Sequence, residues 1–129
     1  MKIEVKTDYE GVSGNACVIP KDVMEKAVSE YSERLKDNPD FGFILDSDYR
    51  GVDGNYRLEK VSHIVRSVQM SEKGVTADID FVGTGMGRTL ESLIDLPGVC
   101  FVPNGVVDTD GGEVKSFVIT SIDFSLKKI

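Results

Sequence analysis

The sequence is poor in the residues that build metal centres and disulfide frameworks. It holds one histidine, His63, and two cysteines, Cys17 and Cys100. Two thiols are too few for a disulfide framework, and they read as reduced, partly buried side chains. A zinc site would have to combine His63 with both cysteines and an acid, and no close-spaced ligand pair exists. No metal and no cofactor is therefore expected. Basic residues are also scarce: 15 Lys and Arg stand against 22 Asp and Glu, for a formal net charge of −7. The densest basic cluster is Lys127-Lys128, far short of the concentrated patch that phosphate backbones require, so nucleic acid is not an expected partner. No apolar run approaches the ~18 residues that cross a bilayer. The alternating opening, Met1 to Lys6, lacks the apolar stretch of a signal peptide. No membrane partner is expected.

What remains is the balance of a soluble globular chain. Its 129 residues, 40% of them hydrophobic, suit one core and a single domain over residues 1–129. Lys2 to Lys6 alternates and reads as an edge strand. A turn-rich segment from Asp8 to Asn15 follows. Pro20 opens the clearest helix, because the first helical turn has no use for the missing N–H. Val23, Met24, Ala27, Val28, Tyr31 and Leu35 form one apolar stripe at helical spacing. The helix should stop near Asn38, since Pro39 disfavours helical geometry before it. Phe41 to Leu45 reads as a buried strand and Asp46 to Asn55 as a polar loop. Leu58 to Met70 reads as a long strand whose apolar residues do not keep to one face, which predicts a bulge. Ser71 to Gly74 is a hairpin turn, and Val75 to Phe81 alternates as a half-buried strand. Thr84 caps a second helix carrying Met86, Leu90, Leu93 and Ile94, with Pro97-Gly98 ending it. Val99 to Val102 is a short apolar run, Asp108 to Gly112 a turn, and Val114 to Leu126 the last strand. Six strands and two inserted helices predict an α+β fold, a mostly antiparallel closed or nearly closed β-barrel.

Three motifs invite a chemical reading, and each has a plainer one. Gly83-Thr84-Gly85-Met86-Gly87 lies between a strand and a helix, where phosphate loops sit. It matches neither the dinucleotide fingerprint nor the Gly-Lys-Ser/Thr ending of a P-loop, so it reads as a tight turn. Asp46, Asp48 and Asp53 around Gly51 resemble a calcium loop, but Arg50 takes a ligand position and Arg57 stands where the closing acid belongs. His63 is mid-strand. Catalysis would require a nucleophile in contact and an orienting partner, and no Gly-x-Ser-x-Gly elbow supplies one. The residues by themselves thus stop at an acidic α+β domain.

Several segments, in order, resemble the prohead (capsid maturation) proteases of tailed bacteriophages, relatives of the herpesvirus assemblin fold. Asn15 to Val28 is similar to the family's opening, a turn and proline ahead of an amphipathic helix. Val61-Ser62-His63-Ile64-Val65 resembles its Val-Ser-His-Ile strand, and Gly74 to Phe81 the hairpin strand after it. Thr84-Gly85-Met86-Gly87-Arg88-Thr89-Leu90 resembles a Thr-Pro-Met-Gly-Lys-x-Leu helix start. Phe117 to Leu126 resembles the closing strand. The resemblance runs over nearly the whole chain from Asn15 and implies a prohead-protease-like barrel.

The departures fall on the chemistry. The family's histidine follows a Gly-x-Leu-Asp stretch; here Phe43-Ile44-Leu45-Asp46 is followed by Ser47. The family's nucleophilic serine lies in a turn after the second helix; here Phe101-Val102-Pro103-Asn104-Gly105 holds no serine. His63 matches a family histidine and stands alone. Ser47, His63, Pro103 and Asn104 are thus candidates for a vestigial site, with no catalytic residue assigned. Asn104 offers no activatable hydroxyl, Ser47 is no base near neutral pH, and Pro103 lacks an N–H for an oxyanion hole. The resemblance then implies a pseudoenzyme, not an enzyme: a virion or capsid-assembly structural component, such as a decoration protein. Its partners would be capsid or other virion proteins, or a second copy of itself, in the virion or in the host cytoplasm during assembly. Two alternatives stay open. One is an active serine protease of capsid maturation that uses His63 with Ser62, Ser67 or another serine. The other is a module binding a peptide along the groove near Val102 and Gly105.

Overall fold

The computed structural model of the chain describes residues 1–7, 19–44, 58–72, 74–97 and 99–125. The elements run β1 (Lys2–Val5), α1 (Lys21–Asp37), β2 (Asp40–Phe43), a 3₁₀ turn (Leu58–Lys60), β3 (Val61–Ser71), β4 (Gly74–Phe81), α2 (Gly85–Leu93), β5 (Cys100–Asp110) and β6 (Glu113–Ser125). The six strands form one sheet in the order β2-β3-β4-β1-β5-β6. Its two outer strands meet through a parallel bridge between Ile44 and Phe124, which nearly closes the sheet into a barrel. Pairing is antiparallel except between β1 and β5, so the barrel is mixed.

The helices form where the apolar stripes predict. On α1, Met24, Ala27, Val28, Tyr31 and Leu35 are buried, and the helix packs on β3 and β6. Pro20 sits at the N-cap, one residue before the first helical position, and its carbonyl accepts from Met24 N–H. Asn38 ends the helix ahead of Pro39 in extended conformation. On α2, Thr84 is the N-cap: its hydroxyl accepts from Gly87 N–H at 3.0 Å and donates to the Val61 carbonyl at 2.6 Å, tying the helix to β3. The glycine-rich turn has a steric reason, since a Cβ on Gly87 would lie 1.9 Å from the Val82 carbonyl oxygen. The core is largely apolar, with Val65, Ile79, Leu90, Ile122 and Phe124 wholly out of solvent.

The expected bulge in β3 falls between Val65 and Ser67. The β3–β4 turn uses Gly74 at φ +123°, a conformation glycine adopts freely. Four expectations need correction. β1 is an interior strand rather than an edge, because β4 pairs along one side and Lys6 N–H reaches the Phe101 carbonyl at 2.8 Å on the other. Residues Leu58–Lys60 make a 3₁₀ turn ahead of β3. Pro103 and Asn104 do not form a turn: β5 continues through them to Asp110, paired throughout with β6. The turn between those strands is only Gly111-Gly112, at φ +60° and +85°. The polar loop from Asp46 to Asn55, with its calcium-like spacing, lies outside the described residues, as do Asn15 and Cys17.

Candidate functional site

The polar side chains of the interior gather where the barrel nearly closes, between β2 and β6. A sheet joined there by backbone alone would pair the N–H and C=O groups of the two strands. Among the described residues, Ile44 and Phe124 form one such bridge. Side chains also join the strands there. Phe43 N–H donates to Asp123 Oδ1 at 3.0 Å, and His63 Nε2 lies 2.7 Å from the Ile122 carbonyl oxygen. On the β3 side of β2, Ser62 Oγ lies 3.3 Å from the Gly42 carbonyl oxygen, a longer contact than its 2.8 Å approach to His63 Nδ1. Three strands thus contribute to one seam: Ser62 and His63 from β3, Asp123 from β6, and the backbone of β2.

His63 is fully enclosed, with 0% of its surface exposed. Its Nε2 faces a carbonyl oxygen, so that nitrogen carries the proton and donates. Nδ1 then has a lone pair, and Ser62 Oγ donates to it at 2.8 Å. The ring stands edge-on to Phe101, with centroids 5.4 Å apart. Burial pushes the imidazole down to about 4, against a smaller upward pull from the Ile122 carbonyl, so it is neutral at pH 7. A hydroxyl hydrogen-bonded to a neutral imidazole is half of a nucleophile-and-base pair. Here, however, Ser62 is also 0% exposed, and the second ring nitrogen is oriented by a main-chain carbonyl instead of a carboxylate. No substrate carbonyl reaches Ser62 Oγ without the seam parting.

Asp123 is a buried carboxylate in the same seam, and sequence reasoning passed over it. Its carboxylate accepts from Phe43 N–H, from Ser121 Oγ at 2.8 Å and from Asn104 Nδ2 at 3.3 Å. Burial still outweighs these bonds and pushes the group up to about 6, with Asp40 adding a smaller repulsion. Asp40 in turn accepts from the Tyr31 hydroxyl at 2.7 Å, and burial together with Asp40 drives that phenol far above its ordinary value. A lone acid inside the apolar run Ile122-Asp123-Phe124 was the available signal. Alternation would have put it in solvent, but the last five residues of β6 are buried on both faces.

Of the four vestigial candidates, the structure places three. His63 is in the seam, Asn104 is on the Asp123 carboxylate, and Pro103 is buried in β5 opposite Ile122. Ser47 lies outside the described residues. The strand leading toward it ends at the site, since Phe43 N–H and Asn104 share the Asp123 carboxylate. Ser67, half-buried, is aligned with Asp78 and has no bond to His63. Cys100 is a free thiol whose burial raises it from its ordinary value, with Lys6 opposing, so it is not an activated nucleophile. Among the described residues no cluster of three metal-ligating side chains occurs, and no helix is long and apolar enough to cross a membrane. Val99, Cys100 and Phe101 line a cleft of about 890 Å³ with Ile3, Val5 and Lys6, while Val102 itself is wholly buried.

No protein-family model matches the chain, and no curated protein matches it. A solved structure does: that of the bacteriophage T4 capsid assembly protease, gp21. The two superpose with a TM-score of 0.60 at 22% identity, over 84% of this chain and 70% of that one. The fold is prohead-protease-like. At that identity the likeness is one of architecture, and it agrees with the nearly closed mixed barrel and two helices described above.

Proposed function

We propose that the chain is a non-catalytic member of the capsid-protease and herpesvirus assemblin lineage, used as a structural component of a phage virion or its assembly intermediate. The observation that carries the reading is the state of its polar centre. The only histidine and its serine neighbour are enclosed and committed to holding the seam, and Pro103 and Asn104 stand in a paired strand. Acyl transfer needs an exposed nucleophile, a base in reach and donors aimed at the developing oxyanion. The likeness to a capsid assembly protease supports the phage setting. Fold does not dictate function, so the structural role needs its own test. The copy number of the chain in purified virions supplies it. Tens to hundreds of copies per particle are expected; absence from particles and from assembly intermediates would refute the role.

A second reading rests on the 2.8 Å contact between Ser62 and His63. If the seam parts, this pair becomes a serine-histidine dyad, and the protein is a protease with a rearranged site. Cleavage of capsid-protein peptides that is lost in Ser62→Ala would establish it; no cleavage above background is the outcome expected of the first reading.

A further inference from the structure

We draw no further inference here: the strongest candidate, the side of β5 turned away from β6 between Gly105 and Asp110, where Val106, Asp108 and Asp110 are exposed, carries none because nothing among the described residues shows what covers it.

Discussion

Gly42 and His63 are matched in shape. A Cβ on Gly42 would stand 1.9 Å from His63 Nε2, so the imidazole occupies the space a side chain would need. Gly42→Ala should drive the ring off the Ile122 carbonyl and lower stability by about 1–3 kcal/mol, read as a fall in the urea midpoint. An unchanged midpoint would mean that the ring is not seated where the structure places it. Tyr31 makes a second residue-scale claim. Its hydroxyl donates to Asp40 Oδ2, while Phe41 N–H donates to Oδ1, close to the buried Asp123, so Tyr31→Phe should cost about 1–2 kcal/mol although it keeps the aromatic ring. Equal stability of the two forms would show that bond to be incidental.

The elements follow from local rules more faithfully than the seam does. The stripe on α1, the Thr84 cap and the alternation in β4 are short-range signals, and each folds as its spacing dictates. Thr84→Ala removes both the cap and the bond to Val61, and should destabilise the protein by at least about 1 kcal/mol; Thr84→Ser should restore most of that loss, as urea titration of the three forms would show. The apolar run Val99 to Val102 shows only the start of β5, because Pro103, Asn104 and Gly105 are types that central strands seldom hold. The proline is tolerated because the pairing of β1 with β5 is confined to Phe101, so beyond it the described residues flank β5 only on the β6 side. Gly105 is required by closeness rather than by a turn, since a Cβ there would lie 2.0 Å from the Val118 carbonyl oxygen. The sequence of β1 reads as an edge strand because its partners β4 and β5 are distant in sequence. Asp123 was illegible for the same reason: what buries it and what bonds it arrive from β2, β5 and α1.

At the scale of the whole molecule, the same two buried groups make opposed contributions to folding. His63 sits at about 4 when folded against an ordinary 6.5, so its contribution is complete above pH 6.5 and is lost as pH falls through 4. Asp123 sits at about 6 against 3.8, so its contribution is complete below pH 3.8 and is lost as pH rises through 6. Each shift corresponds to about 3 kcal/mol. In Asp123→Asn, unfolding free energy from urea titration should therefore climb from pH 4 to 7, whereas in His63→Gln it should decline. The barrel thus commits its one imidazole to closure. Treatment of the intact protein with a serine-directed fluorophosphonate, followed by intact-mass analysis, tests it most directly. No adduct is expected beyond that formed by the denatured chain; stoichiometric labelling of one defined serine, abolished in His63→Ala, would contradict a purely structural role for the imidazole.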